Sequence, residues 1–271
     1  MKTRLLISAF CFLLSALASA AGFGQSLAFK ANAGKGPAAS GGAPSYVPLT
    51  NYASCIGQWV GDLAQTNTSG QVTNLPDQWI NAWHLTNFTS AQFPQITNNA
   101  LNGHAIVSWD GNNDVLRSQM LNCTQITEYV MLMRYDRPPQ TTGDRIVETF
   151  TSGSGQSFRF TSGGQYQIAA AGSTANGGAV MTNKWAVWSL ILSNSTAYLH
   201  TNSILDTVFV VGSAQGQTNI AFGNRDDLSR GAAMSIAEMA IFSGAVPGTN
   251  YIGRSNVFNY FTNNYGVHTS W

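Results

Sequence analysis

From Ile56 onward, short segments with strand character recur between clusters of Gly, Asn, Ser and Thr, and a chain punctuated at that interval folds as a β sandwich or jelly roll. The clearest segments are Ala105 to Trp109, Glu128 to Tyr135, Arg145 to Thr151, Ser157 to Thr161 and Tyr166 to Ala170. Trp185 to Leu192, Thr207 to Val211, Asn219 to Gly223 and Met234 to Phe242 continue the series. In WAVWSLIL, at Trp185 to Leu192, both faces of the strand are largely apolar, which implies burial on both sides. One segment breaks the strand period. Val257, Phe258, Phe261 and Tyr265 recur at spacings of three to four, an apolar stripe on a short helix, and Gly266 stands where a helix C-cap glycine belongs. Such a helix is expected to close one end of the sandwich.

The N-terminus carries a different signal. Lys2 and Arg4 precede an apolar stretch from Leu5 to Leu17, followed by Ala18, Ser19 and Ala20, the arrangement of a secretory signal peptide over residues 1–20. The stretch falls short of the ~20 residues that span a bilayer. Residues 21–49, rich in Gly, Ala, Ser and Pro, read as a flexible lead-in, and residues 50–271 as one domain. The expected location is therefore secreted or extracytoplasmic. Beyond Cys11, which leaves with the signal, Cys55 and Cys123 remain, either one disulfide or two unrelated thiols.

Only 9% of residues are charged, with a formal net charge of +1, while 27 Gly and many Asn, Thr, Ser and Gln carry the polarity. No basic run is present to supply affinity for nucleic acid or anionic membranes.

Three patches resemble a known family. Leu101 to Leu116, LNGHAIVSWDGNNDVL, is similar to the "NG, apolar strand, aromatic-Asp-Gly, Asx, Asp, Leu" signature of concanavalin A-like lectin/glucanase domains of the laminin-G-like kind. Ser235 to Phe242 with the segment FNYFTNNYGV resembles their last core strand and closing helix. Lys184 to Asn202 resembles their strand-turn-strand segment, with Asn194-Ser195 in place of the usual turn glycine. The resemblance implies an all-β, concanavalin A-like jelly-roll sandwich of two antiparallel sheets with a short C-terminal helix. It implies no single activity, because such folds host lectins, glycosidases, lyases and structural modules.

The glucanase relatives place their acids in a closely spaced E-x-D-x-E strand motif, and no such spacing occurs among the carboxylates here. Two carboxyl groups from separate strands remain an alternative route to hydrolysis. The four histidines, His84, His104, His200 and His268, form no HExxH pair, and the chain has neither a G-x-S-x-G elbow nor a P-loop. Surface or capping roles are expected of them.

Asp110, Asn112 and Asp114 alternate in the turn WDGNND, where three oxygens could approach a hard cation such as calcium. The same residues make a hairpin turn whose side chains bond their own backbone, and the missing EF-hand continuation, Val115 and Leu121 at positions six and twelve, favours the turn.

A sugar site needs hydrogen-bonding groups beside an aromatic platform. Trp185 and Trp188 lie on opposite strand faces, so at most one points into any given cleft, and Trp185 is the candidate. Arg134, Glu148 and Arg159 interrupt apolar strands and would line one polar stripe if their strands are neighbours, either a binding site or an ordinary solvated face. The leading expectation is an exported, non-catalytic module that binds a glycan or another surface partner. A polysaccharide hydrolase or lyase of the same fold is the second, and a structural module of a phage-like or cell-surface assembly, with a protein partner, is the third.

Overall fold

The computed structural model describes residues 48–79, 81–87, 89–118, 124, 126–139, 143–149, 156–170, 173–212, 219–224 and 228–267. The expected signal peptide and all but the last two residues of the lead-in lie outside them. Leu49 is fully buried in a 3-10 turn, Leu49–Asn51, so the packed body includes it.

The strands in chain order are β1 (Cys55–Val60), β2 (Gln65–Thr66), β3 (Val72–Leu75), β4 (Leu85–Thr86), β5 (Gln95–Leu101) and β6 (His104–Asp110). There follow β7 (Leu116–Ser118), β8 (Ile126–Tyr135), β9 (Asp144–Thr149), β10 (Gln156–Phe160), β11 (Gln165–Ala170) and β12 (Ser173–Ala179). The last are β13 (Trp185–Ser193), β14 (Thr196–Thr201), β15 (Ile204–Val210), β16 (Ile220–Phe222) and β17 (Ala233–Ser243), before helix α1 (Tyr251–Tyr265).

They form an all-β sandwich of two antiparallel sheets. The first sheet, 8-stranded, runs β15-β14-β13-β8-β17-β6-β5, with β1 also paired to β17. The second, 9-stranded, runs β12-β11-β10-β9-β16-β7-β4-β3-β2. The long central strand β17 pairs β8 along one edge and divides its other edge between β6 and β1.

Strand alternation produces two cores. Between the sheets, Trp109, Met131, Met133, Trp188, Leu190 and Met239 meet Ile146, Phe158, Phe160, Ile168 and Phe222. On the outer side of the first sheet, Ile106, Val130, Leu132, Val187, Ile191 and Ala240 are covered by Val257, Tyr260, Phe261 and Tyr265 of α1. The double-sided apolar pattern of β13 is thus explained. Ala186, Trp188, Leu190 and Leu192 face the other sheet, while Val187 and Ile191 face the helix layer.

The helix therefore covers a sheet face and does not close an end of the sandwich, because the outer face of β8, β13 and β17 is itself apolar and requires a cover. It also begins earlier than its apolar stripe. Asn250 caps it by accepting the Gly253 N–H at 2.7 Å, and Gly266, at φ 62°, ends it with its N–H on the Thr262 carbonyl. The β13–β14 turn works without glycine because Asn194 adopts φ 53°, which Asn tolerates.

Two buried carboxylates hold the helix layer to the sheet. Glu128 accepts from Ser189 Oγ at 2.5 Å and from the Gly248 N–H at 2.7 Å, and burial raises its pKa. Glu238 accepts from Gln58 Nε2, from the Tyr260 hydroxyl at 2.9 Å and from the Tyr265 hydroxyl at 2.6 Å. Among the described residues no helix is long and apolar enough to cross a membrane.

Candidate functional site

The expected polar stripe of Arg134, Glu148 and Arg159 does not exist as one surface, because β8 belongs to the first sheet and β9 and β10 to the second. Arg134 lies opposite Trp185 in the β8–β13 register, its guanidinium carbon 5.3 Å from the Trp185 ring centroid, and its Nε donates to Asp136 Oδ1 at 2.5 Å. One face of the Trp185 ring is thus covered by this cation. Trp188, on the other face, packs in the inter-sheet core against Tyr166 at 4.7 Å.

Glu148 and Arg159 do share the outer face of the second sheet. Arg145 Nε approaches Glu148 Oε1 at 3.4 Å, Arg159 Nε donates to Gln167 Oε1 at 2.5 Å, and Gln167 Nε2 donates to Asn176 Oδ1 at 2.6 Å. The row Arg145, Arg159, Gln167, Asn176 follows the strand register across four strands. Its polar groups are engaged with one another, so it reads as a self-satisfied sheet face.

The loops beyond β6, β8 and β16 build something different. The WDGNND segment is a closed turn: the Asn112 N–H and Nδ2 donate to the two oxygens of Asp110 at 2.7 and 2.8 Å, and the Asp110 N–H donates to Asp114 Oδ2 at 2.9 Å. Burial raises Asp114 to about 6, against the lowering effect of that backbone bond. Asp110, Asn112 and Asp114 thus spend several oxygens on the turn itself, as expected of such side chains, but the turn is not a hairpin, because it passes from β6 in the first sheet to β7 in the second. Among the described residues no group of three or more His, Cys, Asp or Glu stands where a metal could be held.

The turn is locked to its neighbours. Fully buried Asn224 donates from Nδ2 to the Asn112 carbonyl at 2.9 Å and accepts the Arg230 N–H on Oδ1 at 3.0 Å. Gly231 passes so close to the turn that an added Cβ would lie 2.6 Å from the Gly111 carbonyl carbon. On the far side, Asp144 opens β9, is buried, and accepts the hydroxyl of Tyr135. Burial first, then the Asp144 charge, raise the Tyr135 phenol well above its ordinary value, while the Arg137 charge opposes them.

Between these elements lies an open cleft of about 540 Å³, lined by Gly111, Asn112, Asn113, Arg137, Asp144, Ser229 and Gly231. Its size is within the range of small-ligand sites, though its lining is polar. Asp144 is the carboxylate in that lining among the described residues. Sequence reasoning found the Asn112 edge of this cleft and missed Asn113, Arg137, Asp144 and Ser229. The available signal was Arg137 itself, a cation two residues beyond a strand end in a chain that carries few.

The remaining sequence candidates lie elsewhere. Cys55 is a free, buried thiol donating to the Gly57 carbonyl, pushed by burial to about 12, and Cys123 is outside the described residues. His84 Nδ1 accepts the Asp77 N–H at 3.1 Å. His104 joins Asp62 Oδ2 at 2.6 Å to the Asn264 carbonyl at 3.0 Å, tying β6 to the helix. His200 is buried in β14, where desolvation and then Arg254 lower it to about 4. His268 lies outside the described residues.

No protein-family model and no curated protein sequence matches this chain. Solved structures do. The binding domain of Paraclostridial Mosquitocidal Protein 1 aligns at TM-score 0.58 and 13% identity, over 78% of this chain and 53% of that one. The botulinum neurotoxin serotype D binding domain aligns at 0.54 and 12%, over 76% and 52%. Trypanosoma rangeli sialidase in complex with sialic acid aligns at 0.55 and 10%, over 79% and 34%. The chain spans about half the length of the toxin domains and about a third of the sialidase. At these identities the likeness is one of fold.

Proposed function

We propose that this chain is a non-catalytic glycan-binding module of the concanavalin A-like, laminin-G-like class, acting outside the cytoplasm. The observation that carries the reading is the polar cleft at the loop end of the sandwich, lined by Asn112 and Asn113 of the turn and by Arg137 from the segment after β8. The structures it resembles include one described as the receptor binding domain of botulinum neurotoxin D, so the same architecture is used for surface recognition in another protein. The signal-like sequence of residues 1–20 supports export.

Hydrolysis finds less support. Most glycoside hydrolases use a pair of carboxyl groups about 5 to 10 Å apart, and among the described residues one carboxylate, Asp144, lines the cleft. A glycan array probed with the full chain, with and without calcium, tests the proposal. Binding that Asn113→Ala and Arg137→Ala both weaken supports it. Absence of binding to any glycan at millimolar concentration overturns it, and release of reducing ends from a bound polysaccharide transfers the assignment to a hydrolase.

One observation favours a protein partner as a second reading. The edge strand β15 exposes Ile204, Leu205, Val208 and Val210, with Val210 79% accessible, and exposed apolar groups clustered on one strand mark interaction surfaces.

A further inference from the structure

The internal hydrogen bonds of the cleft decide which groups are left to meet a ligand. Asn112 Nδ2 is held by Asp110, and Asn113 Nδ2 donates to the Ala91 carbonyl at 2.7 Å. Each amide thereby has a donor N–H engaged within the chain, and among the described residues no partner takes Oδ1 of either. Each Oδ1 therefore remains as an acceptor for a ligand hydroxyl. Arg137 is the reverse case. Its one hydrogen bond within the described residues is a long contact from Nη2 to the Gly111 carbonyl at 3.4 Å, leaving most of its five N–H donors unspent. The nearby carboxylate, Asp144, accepts the Tyr135 hydroxyl, and no salt bridge joins it to Arg137 among the described residues.

A neutral polyol would satisfy the two amide oxygens and leave the guanidinium facing only weak hydroxyl acceptors. An oxyanion satisfies it far better, since a guanidinium fork matches two oxygens of one acid group, and charge-assisted bonds are about twice as strong as neutral ones. We propose that the cleft selects an anionic sugar, whose acid group docks on Arg137 while ring hydroxyls donate to Oδ1 of Asn112 and Asn113. This rests on the glycan reading above and narrows it to a ligand class. The anion can be a carboxylate, as in uronic or sialic acids, or a sulfate ester, both of which present the oxygens the fork requires.

The test titrates the full chain with three matched oligosaccharides, one bearing a carboxylate, its neutral methyl ester, and a sulfated analogue. The carboxylate ligand is expected to bind about tenfold or more tightly than its ester, with affinity falling as salt rises. Arg137→Gln is expected to bind acid and ester alike, and Arg137→Lys, which keeps the charge without the fork, to retain part of the preference. Thermal unfolding of both variants separates lost recognition from lost fold. Preference for the carboxylate over the sulfate assigns the natural group to an acid sugar, and the reverse order to a sulfated one; either supports an anion site. Equal binding of acid and ester by the wild type, or a preference that survives Arg137→Gln, overturns the anion proposal while leaving the glycan reading standing. No binding to any of the three, nor to neutral glycans, overturns both.

Discussion

Gly223, directly after β16 in the second sheet, lies against the indole of Trp109 on β6 in the first, so close that a Cβ added there would sit 1.9 Å from Trp109 Cδ1. The glycine also adopts φ 86°, and its carbonyl accepts the Ala232 N–H at 2.8 Å. Trp109, fully buried, precedes the turn that forms one wall of the cleft, so this contact positions that wall relative to the second sheet. Gly223→Ala is expected to destabilise the fold by about 2 to 4 kcal/mol through overpacking and left-handed backbone strain. Urea unfolding reads this directly, and a loss below about 0.5 kcal/mol would show that the indole can move aside.

What the chain reveals before folding follows from where its side chains are buried. Strands β6, β8, β13 and β17 carry apolar residues on one or both faces, and their existence is plain from the residues alone. β5, QITNNAL, is mostly exposed and held to β6 by its backbone, so no alternation marks it. β12, STANGGA, is an edge strand whose Gly177 makes room for Phe209, where a Cβ would meet the ring at 2.5 Å. The turn chemistry of WDGNND was equally legible. The cleft was not, because it joins residues from 111 to 231 through contacts such as Asn224 to Asn112, and no local pattern announces those. The Arg134, Glu148, Arg159 grouping failed for the same reason. Period-2 reasoning assigns a face within a strand but not the sheet to which the strand belongs.

Stability is expected to depend on pH through Glu238. Burial lifts its carboxyl from 4.5 to about 7, even though Tyr265, Gln58 and Tyr260 donate to it and the His104 charge favours ionisation. A carboxyl that holds its proton more tightly when folded contributes stability that is fully present below its unfolded value. That contribution is lost as pH rises through about 7. Unfolding free energy should therefore decline from pH 5 to pH 8 by up to a few kcal/mol from this group. Glu238→Gln, which keeps the shape without the charge, should flatten the profile. An unchanged slope in that variant would remove Glu238 as its source.

Calcium is expected to leave thermal stability unchanged. Both oxygens of Asp110 and one of Asp114 are committed to backbone and amide donors of the turn, and a cation would have to displace them. A melting scan at 0 and 5 mM calcium checks this, and a rise of several degrees that Asp114→Asn abolishes would establish a cation site there.

The β15 surface predicts association independent of the cleft. Val208 and Val210 stand opposite Tyr198 and Thr196 on the outer side of the first sheet, while Phe209 between them is buried in the inter-sheet core. On the side away from β14 no strand continues the sheet among the described residues, although β12 of the second sheet reaches it through a bond from the Gly178 N–H to Thr207 Oγ1 at 3.3 Å. Replacing exposed valines by lysine removes apolar area without touching Phe209, and charged edges resist pairing with other chains. Val208→Lys with Val210→Lys should therefore stay folded and keep glycan affinity, while lowering self-association measured by sedimentation at high protein concentration. If wild type and double variant sediment identically as monomers, the patch serves no contact between copies. A protein partner of different sequence is then what remains for it.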